Sequence, residues 1–370
     1  MQISFYMPFK PLGHENPSGD LVTGTELFDY IRGRGHTVDL VSRFRTRYLT
    51  LKPWLWPAIG PAMAAAEIRS RRLRARIWLT YHTYYKAPDV IGPLCCRRLK
   101  IPYTIFQGIY STKRRRQWRT LPGFWLNRMV LKAARVVFTN KRTDQKNLLR
   151  LLPAERVVYV PPGIVPANFQ FTASARNRLR EQWLTEEIPV ILTAAMFRPG
   201  VKTDGLLRVI RAAGRIAAKG LDFKLVIVGD GASRRLLQNQ ARKHVSGRVI
   251  FTGKIPRSKL HQYYSAADLF VFPGIRESLG MVYLEAQSCA LPVVAHDDWG
   301  AAEAVIHDKT GLLTRADDPA GFSAAMMKLI TQPGTRKQMG SAAAEHVRLH
   351  HDLEANYDEV VNRLLAVAEE

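Results

Sequence analysis

The stretch that decides the fold runs Leu269-Phe270-Val271-Phe272-Pro273-Gly274-Ile275-Arg276-Glu277-Ser278-Leu279-Gly280-Met281-Val282-Tyr283-Leu284-Glu285-Ala286. Four apolar residues read as a buried strand and Pro-Gly as a turn. Ser278 reads as the N-cap of an amphipathic helix, with a glycine at 280. A strand that feeds a helix N-terminus makes an anion site, because free N–H groups point outward and the helix dipole adds positive potential. Two carboxylates, Glu277 and Glu285, bracket the helix start. They would repel a phosphate unless they bind something else, and ionised carboxylates readily accept hydrogen bonds from hydroxyls. A diphosphate between two polyols, a nucleotide sugar, meets both conditions.

Outward from this stretch, strands alternate with helices, the signature of parallel β-α-β units. Towards the start of the chain, strands are predicted at Val249–Thr252, Phe223–Val228 and Val190–Ala195. The helices between them cover 257–266, 232–244 and Gly205–Ala218, and Gly229-Asp230-Gly231 forms a tight turn. A polar helix at 173–184 precedes them. Towards the end come a strand at Pro292–Ala295, a short helix at Ala301–Ile306, an edge element at 311–313 and two helices at about 319–331 and 335–367, the second with a break. In the first half the pattern begins with a strand from Met1, a Gly-containing loop, a helix at Val22–Arg34 and a strand at Thr37–Val41. Further strands follow at 76–82, 101–106, 135–139 and 157–160, with helices at 89–99, 122–134 and 143–151. Residues 163–170 read as a linker, so the chain is predicted to hold two α/β domains, 1–165 and 166–350. A last helix at about 351–370 returns to the first.

A length of 370 residues and 46% hydrophobic content suit two packed cores. Cys95, Cys96 and Cys289 show neither a disulfide framework nor metal-ligand spacing, which points to a reducing compartment. The start reads as a strand rather than a leader. The longest apolar run, 53–66, is short and interrupted by prolines, so no spanning helix is expected. The formal net charge is +24, and residues 51–150 hold 22 lysines and arginines against 3 acids, a net of +19. Such a field attracts nucleic acid, anionic lipid or a phosphorylated substrate. Between 43 and 76, Arg43, Arg45 and Arg47 precede Trp54 and Trp56, and five further arginines follow. That mixture suits a membrane interface, and equally a helical pair with a solvated basic face. Lys113 to Arg116 with Trp118 repeats the pattern.

The segment from Arg198 to Gly311 resembles the donor domain of retaining glycosyltransferases of family 4, which have the GT-B fold of two Rossmann-like domains facing a cleft. Glu277 and Glu285 fall in the family's E-x7-E arrangement, followed by Leu291-Pro292-Val293-Val294-Ala295, Gly300, Glu303 and Thr310-Gly311-Leu312-Leu313. Arg34-Gly35-His36-Thr37-Val38 and Pro162-Gly163-Ile164 extend the likeness, which is thin between 43 and 76.

What the resemblance implies is specific. Arg198 and Lys202 would neutralise the donor diphosphate, as preorganised cations stabilise a developing anion. Glu285 would accept from the ribose hydroxyls, and Glu277 would hold a hydroxyl of the transferred sugar. Ser278, Leu279, Gly280, Met281 and Val282 would surround the phosphate. Gly229 and Gly231 would lie behind the nucleotide, and Ile255 beside its base. Gly19 would admit the donor, with Ser18 in place of a second glycine. His82 would face the cleft, and Gln107 stands where the family often has a sugar-contacting histidine. The expected enzyme is a metal-independent hexosyltransferase with no cofactor. Its donor would be UDP- or GDP-linked and its acceptor a glycan or lipid-linked glycan, in cell-envelope polysaccharide or lipopolysaccharide synthesis. It would be cytoplasmic and peripheral on the inner face of the cytoplasmic membrane, touching anionic lipid through 43–76 and 113–119, with no nucleic acid bound. A basic nucleic-acid-binding protein and a non-catalytic nucleotide binder are the alternatives.

Overall fold

A computed structural model describes residues 1–15, 19–276, 279–298 and 300–369. The chain forms two compact units, Met1–Val160 with Glu354–Glu370, and Pro161–Leu353. Each is built on a six-stranded parallel sheet, and the expected α/β architecture is present in both.

In the first unit the strands are β1 (Gln2–Tyr6), β2 (Thr37–Ser42), β3 (Ile77–Thr83), β4 (Tyr103–Gly108), β5 (Val136–Thr139) and β6 (Val157–Tyr159), in the order β2-β1-β3-β4-β5-β6. All seven residues of β3 are buried, as expected of a central parallel strand covered on both faces. Tyr6, Trp78, Ile105 and Val137 join Phe124 and Leu131 in one core. The last helix, Leu353–Glu369, belongs to this unit. It buries Tyr357, Val360, Val361, Leu364 and Val367, a helical spacing that turns one face to the unit. Tyr357 packs edge-on against Tyr30, and Asp358 pairs with Arg34.

In the second unit β7 (Val190–Ala194), β8 (Lys224–Val228), β9 (Val249–Gly253), β10 (Leu269–Val271), β11 (Val293–His296) and β12 (Gly311–Thr314) lie in the order β12-β11-β10-β7-β8-β9. Ile191, Leu192, Val226, Phe270, Tyr283 and Met326 centre its core. Residues 163–170, read as a linker, are packed into this unit. Pro166–Phe169 is a 3-10 helix, and the Phe169 carbonyl accepts from the Cys289 thiol at 3.2 Å.

Several boundaries differ from the sequence reading. The helix expected from Gly205 begins at Val201, and the one expected at 301–306 ends at Ala304. The run at 113–116 lies in a 3-10 helix, Thr112–Arg116. Residues 49–58 form two short 3-10 helices ahead of the helix Ile59–Leu73. The break expected in the final helical stretch is present, between Pro333–His350 and Leu353–Glu369.

Both strand orders contain a point where the chain reverses direction across the sheet, between β1 and β3 in the first unit and between β7 and β10 in the second. Open parallel sheets bind ligands at the carboxyl ends of the strands on either side of such a point.

Candidate active site

In the second unit the loops after β7 and β10 flank the reversal point, and they carry the basic pair and the opening stretch. The loop after β7 is latched to the end of β8 and the 229–233 turn by three backbone bonds. Ala195 N–H donates to Val228, Phe197 N–H to Asp230 and Ser233 N–H to Phe197, while Gly229 N–H ties the turn to the carbonyl of Gly253 in β9. A Cβ at Gly229 would lie 1.9 Å from the Ala195 carbonyl oxygen, and one at Gly231 would lie 2.8 Å from that of Phe197. Glycine at both positions is therefore a condition of the latch, since backbone cannot yield as a flexible side chain does. The latch positions Arg198, which is exposed, and its carbonyl accepts from Thr203 Oγ1 at 2.8 Å.

Gly200, at φ +92°, turns the chain into the helix Val201–Ala217, so Lys202 lies in the helix's first turn. Lys202 is half-buried, its ammonium 5.3 Å from the centre of the Phe272 ring. A cation over an aromatic face gains roughly 0.5–2 kcal/mol and is held in place. The Phe272 carbonyl accepts from Tyr283 Oη at 3.1 Å, so one residue at the end of β10 ties together the helices that follow β7 and β10.

The helix after β10 runs from Met281 to Ser288, with Gly280 at its N-cap. Ser278, the cap expected from the sequence, and Glu277 lie outside the described residues. Gly280 takes φ +69°, and its missing Cβ would lie 2.5 Å from the Gly300 carbonyl oxygen. Tyr283 N–H bonds to the Gly280 carbonyl. Met281 and Val282, both half-buried, occupy the first two helical positions, where N–H groups have no partner inside a helix. Leu279 is buried beside them.

Glu285 is 3% exposed. Its Oε1 accepts from Arg257 Nε at 2.8 Å and its Oε2 from Tyr264 Oη at 3.1 Å. Burial and the Glu285 charge hold the Tyr264 phenol well above its ordinary pKa, which keeps it a donor. Sequence reading did not find these two partners. Arg257 registered there only as the start of a helix, although its guanidinium also lies 5.5 Å from the Phe169 ring. Ile255, after β9, is half-buried against the core.

In the first unit Gly19 opens the helix Gly19–Gly33, and a Cβ there would touch nothing within 4 Å. Ser18 lies outside the described residues. His82 and Gln107 stand side by side at the carboxyl ends of β3 and β4, between the register pairs Tyr81–Phe106 and Thr83–Gly108. Both are buried and both have left-handed backbones, φ +62° and +63°. Such conformations in non-glycine residues cost of order 1–3 kcal/mol and gather at functional sites. His82 Nδ1, Gln107 Oε1 and Thr139 Oγ1, along the same edge, are buried without a hydrogen-bond partner among the described residues. Burial holds the His82 pKa down, Asp20 opposes this from 3.6 Å away, and Lys141 reinforces it. The imidazole stacks on Tyr84 at 4.9 Å and packs edge-on against Phe9 at 5.7 Å.

The structure therefore gathers Arg198, Lys202, Gly229, Gly231, Leu279, Gly280, Met281 and Val282 on one edge of the second sheet. Ile255 follows β9, and Glu285 sits one turn into the helix. Gly19, His82 and Gln107 lie on the corresponding edge of the first sheet.

Residues 176–346 match the family described as glycosyl transferases group 1. That segment holds all six strands of the second sheet. Among curated relatives, the chain is 32% identical over 215 residues to a GDP-mannose-dependent alpha-(1-6)-phosphatidylinositol monomannoside mannosyltransferase of Mycolicibacterium smegmatis. That match covers 56% of each protein, so the chain spans little more than half of that relative. It is 29% identical over 379 residues to a D-inositol 3-phosphate glycosyltransferase of Acidothermus cellulolyticus, covering 91% of this chain and 82% of that one. The crystal structure of Anabaena Alr3699/HepE in complex with UDP superposes with a TM-score of 0.78 at 18% identity, covering 99% of this chain and 100% of that one. At that identity the likeness is one of fold, and the fold is GT-B. Gly229, Gly231, Glu277 and Glu285 all fall within the matched segment. Among the described residues no three histidines, cysteines or acids gather as a metal site.

Proposed function

We propose that the protein transfers a sugar, with retention of configuration, from a UDP- or GDP-linked donor to a hydroxyl of a glycan or lipid-linked acceptor. The observation that carries this is the meeting of two helix N-termini and a fixed lysine at the β7/β10 reversal point of a group 1 domain. Two sets of outward N–H groups and the Lys202 charge converge where a diphosphate would develop charge on leaving. Arg198 adds a second cation. Glu285 accepts from the ribose hydroxyls, as an ionised carboxylate can accept several hydrogen bonds, while Glu277 holds the transferred sugar. Retention follows if the departing phosphate takes the acceptor proton on the face the donor leaves. The enzyme then supplies position and charge more than a strong base. No metal or cofactor enters this scheme.

The acceptor is assigned to the first unit, where His82 and Gln107 carry buried polar atoms with no partner among the described residues. Peripheral attachment to an anionic membrane surface is supported by the exposed side chains of Trp54, Trp56, Trp118, Trp125 and Met129 among arginines and lysines. No described helix is long and apolar enough to cross a membrane. An envelope polysaccharide or lipopolysaccharide intermediate is the acceptor class this reading favours.

Lys202→Ala and Glu277→Ala are expected to lower transfer by about a hundredfold or more with the melting temperature little changed, the usual scale for losing one preorganised charge. Proton NMR of the product should show the anomeric configuration of the donor. Full activity in both variants would end this reading, and an inverted product would end the retaining part of it.

A further inference from the structure

The loop after β2 builds a second cationic site that the donor chemistry does not use. Arg43, Arg45, Arg47 and Lys52, with Phe44, Tyr48 and Leu55, line a cavity of about 570 Å³. None of these lining residues is acidic. Arg43 Nη1 donates to the Leu12 carbonyl and Arg45 Nε to the Phe9 carbonyl, both at 3.2 Å. These bonds stitch the β2 loop to the loop after β1 and fix both guanidiniums, and each guanidinium has further N–H donors to offer. Arg47 lies 5.4 Å from the Phe9 ring and 5.3 Å from the Tyr48 ring. Partial burial pushes the Tyr48 phenol upward, yet Lys86 and Arg47 bring its pKa below the ordinary value, as positive potential requires.

Two neighbours of the cavity give it direction. On one side Phe9 carries Arg47 on its ring and packs against His82 at 5.7 Å, so a single ring separates the cations from the strained histidine at the end of β3. On the other side the 3-10 helices that supply Lys52 and Leu55 expose Leu51, Trp54 and Trp56 at 48%, 69% and 55%. Trp56 is nonetheless anchored, its indole N–H donating to the Leu49 carbonyl at 3.1 Å. The site thus combines a cationic lining with exposed tryptophans on one side and the Phe9 ring, in contact with His82, on the other.

We propose that this pocket binds a phosphate ester carried by the acceptor, so that the substrate hydroxyl is presented at His82 from a phosphate anchored by Arg43, Arg45, Arg47 and Lys52. Planar guanidiniums in convergent positions match the oxygen geometry of phosphate. The inference rests on the assignment of the acceptor to the first unit.

The test uses the full chain and three phosphate probes in calorimetry and flotation: inorganic phosphate, sn-glycerol 3-phosphate, and vesicles of phosphatidylglycerol in phosphatidylcholine. Wild type is compared with Arg47→Gln/Lys52→Gln and with Lys146→Gln/Arg150→Gln, which removes the same charge from the same unit outside the pocket. The pocket variant should bind the phosphate probes at least about tenfold more weakly, and the control variant within about twofold of wild type. Binding of a soluble probe identifies a free phosphate ester as sufficient. Binding of vesicles alone identifies a lipid headgroup, and either outcome supports the site. Equal losses in both variants, or no binding of any probe by wild type, would overturn it. Nucleoside diphosphate affinity, measured on the same samples, should be unchanged in both variants. If wild type binds nucleoside diphosphate but no phosphate probe, the pocket assignment alone fails. If it binds no nucleoside diphosphate, the transferase reading fails instead.

Discussion

Gly280 is where a single atom has the largest consequence. At φ +69° any L side chain is strained, and a Cβ would also lie 2.5 Å from the Gly300 carbonyl oxygen and 2.7 Å from the Tyr283 ring. Gly280→Ala must therefore separate two loops at the mouth of the helix Met281–Ser288. The strain and the clash together should cost about 2–3 kcal/mol. For a unit of this size that lowers the melting temperature by roughly 5–10 °C, readable by calorimetry. Donor affinity should fall with it, because the N–H groups of Met281 and Val282 move. A variant with unchanged stability would show that the loops yield freely. Glu285 is constrained differently. It is buried beside the Arg257 guanidinium with both oxygens hydrogen-bonded, the condition under which a buried charge is tolerated.

At the scale of elements, legibility in the sequence followed the range of the forces involved. The strand at 269–272 and the helix after it were readable because burial and helical periodicity are local. So were Gly229 and Gly231, whose turn chemistry shows in three residues. The helix start at Val201 was not readable. Pro199-Gly200 looks like a loop ending, yet Gly200 at φ +92° is the N-cap, and Lys202 consequently sits on a helix rather than a loop. The partnership of Arg257 with Glu285 spans 28 positions and leaves no local trace. His82 and Gln107 were singled out by resemblance, but their left-handed backbones were not, since a positive φ in a non-glycine residue is imposed by the surrounding fold. The 3-10 helices at 49–58 escaped for a related reason. Prolines and tryptophans there give no clean period, and exposure of Trp54 and Trp56 removes the burial signal on which pattern reading relies.

At the scale of the whole chain, the polypeptide passes between the units twice, near Val160 and near Leu353. In the second unit these two passages are bonded together. Ile164 N–H donates to the His351 carbonyl, and Leu353 N–H to that of Ile164. His351 Nδ1 lies 2.6 Å from the Pro162 carbonyl, and its Nε2 lies 3.2 Å from His346 Nε2. One ring must donate to the other, so the pair is stable only while one facing nitrogen is unprotonated. Burial, with His351, His350 and Lys309 nearby, pushes His346 down to about 4. Burial also lowers His351, against the Pro162 bond that raises it. Both values lie below the ordinary 6.5, so the unfolded chain binds protons first as the pH falls. Stability contributed here is complete above about pH 6.5 and is lost progressively towards pH 4. The melting temperature of wild type should fall more steeply between pH 7 and 5 than that of His346→Gln, whose amide can still donate to His351. Parallel curves would remove this pair from the account.

The β7/β10 edge of the second unit is proposed to hold the diphosphate of a nucleotide-sugar donor through Lys202 and two helix N-termini. Titration calorimetry of UDP and GDP into wild type and Lys202→Ala tests it most directly. Wild type should bind one of the two nucleotides at one site, with affinity at least about tenfold weaker in the variant, the scale of one lost charge-assisted contact. Equal affinity in the two proteins, or no binding of either nucleotide to wild type, would contradict it.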